Sequence, residues 1–217
     1  MTTNSVPYTF RDETRDTTVS ITDATPPLFR PLSIGRVTLR NRIMQAPLAR
    51  DPANAGRITD WHYAHLGKFA LGGVGLVCLE SGVGLADEAQ GAALAKLVHY
   101  LQALGARVAI EVEGASDVLA RRAEAAGVDF LLAGGALVGA AEVRIATLQD
   151  ATPEQAQALV AEGKADLVAI GRELLWNPYW AAQAARKLGA DPDFRTMPTQ
   201  YGWWLDRRVK TGYEKEL

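Results

Sequence analysis

Six short apolar runs, all but one joined to the next by a stretch with helical character, predict an α/β fold with a parallel sheet. Two further observations support it. The runs are apolar on successive residues, as strands covered on both faces require. Glycines stand where the intervening helices must stop, at Gly72-Gly73, Gly105, Gly127 and Gly163. A hydrophobic fraction of 48% in 217 residues supplies a core for one domain.

Residues 1–27 lack helical period. Tyr8-Thr9-Phe10 and residues 17–21 have β-type composition, and Pro26-Pro27 ends the segment. This part is read as an N-terminal extension, flexible or capping, and residues 28–217 as the domain. Residues 34–39 predict a short hairpin. The first apolar strand is 43–47, followed by a loop and a helix over 60–71 with Asp60 as N-cap. Strand 74–79, a helix near 92–104 and strand 107–112 come next. Ser116 or Asp117 caps a helix over 118–126. Strand 128–133 leads into a loop opened by Gly134-Gly135, and 143–147 is the fifth strand. Thr152 caps a helix over 153–162 that carries Pro153 at its first position. Strand 167–170 is the last, and a further helix covers 178–188.

A net charge of -2 and a pI near 6.0 argue against nucleic acid or an anionic membrane as partner. No apolar run approaches the roughly 20 residues of a membrane span, and residues 1–27 are too polar for a signal peptide. The single cysteine, Cys78, lies in an apolar run and reads as a buried thiol. A soluble, cytoplasmic protein is expected.

The most informative segment runs from Ala165 to Pro178, where the last strand ends in Gly171-Arg172 and a helix begins. A glycine that lets the backbone come close, turn N–H groups and a guanidinium together make an anion site. Alternatively, this is a strand-to-helix turn with a solvated arginine.

This segment resembles the last strand and helix of the Old Yellow Enzyme family, flavin-dependent oxidoreductases on a TIM barrel. Four other segments agree in family order. Leu28-Phe29-Arg30-Pro31-Leu32, continued by Asn41-Arg42-Ile43-Met44-Gln45-Ala46-Pro47-Leu48, is similar to the entry and first strand. Residues 60–77, from Asp60-Trp61-His62 to Gly75-Leu76-Val77, are similar to the first helix and second strand. Thr152-Pro153-Glu154-Gln155-Ala156 matches the start of the penultimate helix. Gln200-Tyr201-Gly202-Trp203-Trp204-Leu205 matches the tail of bacterial members.

The resemblance implies FMN across the barrel mouth, cradled by the backbone of Ala46, Pro47, Leu48 and Ala49, with NADH or NADPH as reductant. It implies a small-molecule acceptor such as an activated alkene. Ala49 stands where relatives carry a hydrogen-bonding Cys or Thr, and Asp51 where many carry Tyr. Ser81 falls near the flavin's pyrimidine edge, or simply caps a loop. Glu111 replaces a Gln that both donates and accepts, whereas an ionised carboxylate only accepts. It would repel an anionic reduced flavin unless its pKa were raised. Glu113 shares its face by alternation. The two carboxylates also fit a solvated strand end, or a general base in an emptied mouth. Gly171 and Arg172 would hold the phosphate, with Thr147 nearby, and Leu148 takes the place of a phosphate-admitting Gly.

The fourth-strand His pair that binds substrate in relatives has no counterpart, nor has the fifth-strand Arg, so no catalytic residue is assigned. His62, His65 and His99 fall on helices, and with no third ligand beside His62 and His65 no metal is expected. Trp203-Trp204 and Arg207-Arg208 form an aromatic-cationic tail. It would dock on a second subunit and make a homo-oligomer, or cover the barrel side with its arginines in water.

A TIM barrel needs about 250 residues and reaches down to about 200. With six strands, the resemblance places a lost pair between Val112 and Asp117. The expected architecture is a truncated TIM-barrel-derived parallel β/α fold, completed by the N-terminal segment or a partner chain. Two functions follow: an FMN-dependent NAD(P)H oxidoreductase of the ene-reductase type, or a non-catalytic minimal barrel scaffold that has lost its sites.

Overall fold

The structure, a computed structural model, describes residues 21–48, 56–113 and 116–212. The β-type segments expected within residues 1–20, together with Ala49 and Asp51, lie outside the described residues.

A 3-10 turn at Pro27–Phe29 leads into a hairpin of β1 (Leu32–Ile34) and β2 (Val37–Leu39). There follow β3 (Ile43–Gln45), α1 (Asp60–Leu71), β4 (Leu76–Leu79), α2 (Glu88–Ala103), β5 (Arg107–Glu111) and α3 (Asp117–Ala125). The second half holds β6 (Phe130–Ala133), β7 (Ala136–Leu137), β8 (Ile145–Leu148), α4 (Pro153–Ala161) and β9 (Leu167–Ile170). Three helices end it: α5 (Arg172–Trp176), α6 (Trp180–Lys187) and α7 (Thr199–Lys210).

One seven-stranded sheet runs β7-β6-β5-β4-β3-β9-β8. All its pairings are parallel except β6 with β7. The six apolar runs are thus its six parallel strands, each within two residues of the expected limits. β5 pairs directly with β6, Ala109 against Phe130 and Glu111 against Leu132. The sheet has closed up where the resemblance places the lost strands.

Strand alternation sorts the core into two layers. The inner layer joins Met44, Ala46, Leu76, Cys78, Ala109, Leu132, Leu137, Leu167 and Ala169. Val143 and Ile145, at the β8 edge, pack into it alongside Leu132 and Leu137 from the opposite edge. The sheet therefore curls into a nearly closed barrel. Ile34 and Leu39 of the hairpin also belong to the inner layer, and Arg107 Nε at the start of β5 donates to Thr38 O at 3.2 Å. The expected hairpin plugs the N-terminal end of the barrel.

The outer layer lies between strands and helices. On α2, Leu94, Leu97, Val98 and Leu101 are buried at helical spacing, and each full burial stabilises by about 1.5–3 kcal/mol. Arg40 ties two helix ends together, donating to Ala70 O at 2.7 Å, Val74 O at 2.8 Å and Leu104 O at 3.3 Å. Burial pushes its guanidinium down to about 10.

Several expectations need correction. Thr59, not Asp60, is the N-cap of α1, because the Thr59 N–H is taken by Nδ1 of His62 at 3.0 Å in a capping box. Helix α2 begins a turn earlier than 92, where the Asp87 carboxylate accepts the Gln90 N–H at 2.8 Å. Ser116 holds the N-cap position of α3. The helix expected over 178–188 begins at Trp180, and a separate short α5 precedes it. Gly134 and Gly135, at φ 57° and 82°, form a hairpin turn rather than opening a plain loop. The resulting β7 covers the free edge of β6. The aromatic-cationic tail is helical. In α7 only Gly202 is buried, while Leu205 and Val209 pack on Ala182, Phe194 and Met197. Trp203 and Trp204 stay about half exposed, at 46% and 50%. Among the described residues no helix is long and apolar enough to cross a membrane.

Candidate functional site at the strand C-terminal rim

Parallel strands end together, so residues just past β3, β4, β5 and β9 share one rim. Ala46 is the inward residue after β3, and its N–H donates to Ile170 O at 2.9 Å. Gly171 follows directly on β9, so this bond sets the two strand ends side by side. Pro47 and Leu48 are half-buried beyond Ala46. On the other flank Ser81 is buried after Glu80, and Gly82 N–H donates to Glu111 O at 3.2 Å. Of the expected residues, Ala46, Pro47, Leu48, Ser81, Glu111, Gly171 and Arg172 therefore lie along four neighbouring strand ends.

Glu111 sits on the inward face with Ala109, beside Cys78. The Cys78 thiol is pushed up, first by burial and second by the Glu111 charge. Glu113 is exposed past the strand end.

The phosphate end differs from expectation in one respect. Leu148 does not crowd it, because it packs in the outer layer. Gln149 does: a Cβ placed on Gly171 would stand 2.7 Å from Gln149 Oε1. The carboxamide lies in the space that glycine leaves. Gly171 N–H donates to Leu148 O and Glu173 N–H to Gln149 O, both at 3.0 Å. Arg172 Nη2 pairs with Asp150 Oδ2 at 3.4 Å, both side chains being mostly exposed. An exposed pair of this kind stabilises by about 1 kcal/mol or less. The residues fit a phosphoryl group once Gln149 turns away, and Arg172 would meet it in place of the N–H groups already used.

Sequence reasoning missed Gln149 and Asp150 because only the fold lays the first across Gly171 and the second against Arg172. It also missed two buried polar residues behind the rim. Gln45 Oε1 accepts the Cys78 N–H at 3.1 Å, where β3 and β4 part. His62 Nε2 stands 3.7 Å from Glu80 Oε1. His65 instead stacks on Trp61 with ring centroids 4.2 Å apart, so the two histidines do not converge. Burial, then the charge of Lys68, pushes His65 down to about 4.

Fold and rim define a shortened parallel β/α barrel with Gly171-Arg172 at the end of β9. No protein-family model matches the chain. An NADPH dehydrogenase of Geobacillus thermodenitrificans is 49% identical over 51 residues, 23% of this chain and 14% of the relative. An NADPH dehydrogenase of Listeria monocytogenes is 35% identical over 99 residues, 39% of this chain and 29% of the relative. The matched stretches thus span less than a third of those relatives' length. Among solved structures, morphinone reductase superposes with a TM-score of 0.58 at 16% identity, over 90% of this chain and 100% of the other. An Old Yellow Enzyme solved with pHBA gives 0.57 at 14% identity, over 75% and 93%. The chain thus shares the barrel fold of an Old Yellow Enzyme and of morphinone reductase, and short stretches of sequence with NADPH dehydrogenases.

Proposed function

We propose that this chain is a flavin-dependent NAD(P)H oxidoreductase of the ene-reductase type, taking FMN across the rim. The observation that carries the reading is the arrangement of Ala46–Leu48, Ser81, Glu111 and Gly171-Arg172 on adjacent strand ends, in the family's order. Backbone groups from Ala46 to Ala49 cradle the ring system. Ser81 offers a hydroxyl, Glu111 accepts a hydrogen bond when ionised, and Arg172 neutralises the phosphate. Bound FMN supplies hydride transfer from NADH or NADPH to a small-molecule acceptor such as an activated alkene. With no counterpart of the substrate-binding His pair, acceptors that need little positioning are favoured.

The reading places residues 1–27 as an extension and 28–217 as one barrel domain in a cytoplasmic protein. It also takes the half-exposed aromatics of α7 as a contact between copies in a homo-oligomer. The test is an absorbance spectrum of protein incubated with FMN and desalted. A retained visible flavin band, bleached by NADPH or NADH, is expected.

A second reading, a minimal scaffold without cofactor, draws on a different observation. The inner layer is packed with apolar side chains, and Gln149 and Asp150 already engage Gly171 and Arg172. A colourless desalted protein would favour it.

A further inference from the structure

The N-terminus of α1 and the end of β4 enclose a polar gap that the flavin reading does not use. His62 is 2% exposed and Glu80 8%. Nδ1 of His62 accepts the Thr59 backbone N–H at 3.0 Å and lies 3.1 Å from the Thr59 hydroxyl. An imidazole nitrogen that accepts an N–H carries no proton, so the ring's hydrogen is on Nε2. That Nε2 is buried and has no hydrogen-bond partner, the Glu80 carboxylate standing at 3.7 Å, beyond direct bonding distance. A buried donor without an acceptor costs about 1–3 kcal/mol. A cavity of about 10 Å³ lies here, with His62, Glu80 and Gln45 among apolar walls that include Trp61, Leu66 and Leu79. Such a volume admits about one water, which needs two or more polar partners.

We propose that this cavity binds one internal water that accepts the His62 Nε2–H and donates to the Glu80 carboxylate. His62 is then a positioning residue with two arms. Nδ1 closes the capping box of α1, and Nε2 reaches through the water to Glu80. Ser81 follows Glu80 directly, and the turn after it is held by Val83 N–H to Glu80 O at 3.4 Å and Gly82 N–H to Glu111 O at 3.2 Å. The bridge therefore locks the β4 corner of the rim to the first turn of α1, with or without a cofactor.

The test uses full-length protein without flavin, so its failure is separate from failure of the oxidoreductase reading. Long-range ¹H–¹⁵N spectra of ¹⁵N-histidine-labelled protein should show His62 as the neutral Nε2–H tautomer, with a cross-relaxation peak from that proton to a bound water. Glu80→Met keeps about the same volume and removes the acceptor oxygens. His62→Asn keeps an acceptor near Nδ1 and removes the Nε2 arm. Both should speed amide exchange at Gly82 and Val83 on the order of tenfold, as loss of one buried bridge implies. The first-turn amide of His62 or its replacement, bonded to Thr59 O, should keep its protection. The Nδ1–H tautomer, a tautomer as expected with no water contact, or unchanged exchange at Gly82 and Val83 in Glu80→Met would each overturn the proposal. The tautomer and the water contact are read on the unaltered protein, so the test stands even if a variant does not fold.

Discussion

Gly72 and Pro178 meet backbone to backbone: a Cβ on Gly72 would stand 1.9 Å from the carbonyl oxygen of Pro178. The contact seats the segment between α5 and α6 on the C-terminal end of α1, where Ala182 N–H also donates to Gly72 O at 3.0 Å. Gly72 has φ -67°, which any residue adopts, so its requirement is steric alone. Gly72→Ala should destabilise by about 3 kcal/mol, since backbone cannot step aside as a side chain does. Gly91, inside α2, has nothing within 4 Å of its missing Cβ. Gly91→Ala should stabilise by about 0.5–1 kcal/mol through helix propensity. Urea unfolding of the two variants checks the opposite signs, and equal midpoints would refute the packing of this segment.

Asp166 sets the start of β9 against β8. Its carboxylate takes Arg144 N–H and Nε at 2.9 Å and Nη2 at 3.1 Å, beside the Ile145–Leu167 pairing. The Arg144 side-chain hydrogen bond is the first cause holding this carboxyl below the usual 3.8. A depressed carboxyl contributes stability that is present above its unfolded pKa and lost as pH falls through the lower folded value. Stability should therefore decline as pH drops below about 4, and Asp166→Asn should remove that part of the decline while being less stable at neutral pH. Unfolding midpoints measured across acidic pH give the comparison; parallel curves would show that the pair contributes nothing.

Cys78 should be inert in the native protein. It is 1% exposed, and both burial and Glu111 raise its pKa, leaving almost no thiolate near neutrality. A disulfide reagent should fail to label it until denaturant is added, and then find one thiol per chain. Rapid labelling without denaturant would mean that the inner layer opens to water. Replacing Glu111 by Gln should leave the thiol protected, because burial is the larger cause.

The six parallel strands and the plugging hairpin were legible because their signals are local: apolar runs as long as one strand, and glycines at helix ends. The β6–β7 turn is not legible as a hairpin, because β7 has only two residues and leaves no strand-length signal after the glycines. The position of Gln149 could not be read. Nothing in a polar residue after a strand says that its side chain will lie across a glycine twenty-two residues on; the parallel pairing of β8 with β9 decides that. The His62–Glu80 gap was hidden for the same reason. His62 looked like a helix-face histidine until the capping box fixed its tautomer and burial left its second nitrogen facing a carboxylate.

The phosphate end gives the sharpest test of the flavin reading, because its residues pull in opposite directions. Arg172 supplies the positive charge, Asp150 competes for it at 3.4 Å, and Gln149 fills the glycine's space. If FMN binds there, Arg172→Ala should weaken it on the order of tenfold, the loss of a charge-assisted contact. Asp150→Asn should tighten binding about two- to fivefold, because a weak exposed pair no longer has to be broken. Gln149→Ala should also tighten binding by freeing the glycine, whereas Gly171→Ala should weaken it and crowd Gln149 at the same time. Flavin fluorescence quenching during titration reads all four. A flavin that binds with no response to any of them would sit elsewhere on the barrel. Tightening in Asp150→Asn and Gln149→Ala would instead identify the two side chains as an internal substitute for the phosphate, displaced each time the cofactor enters.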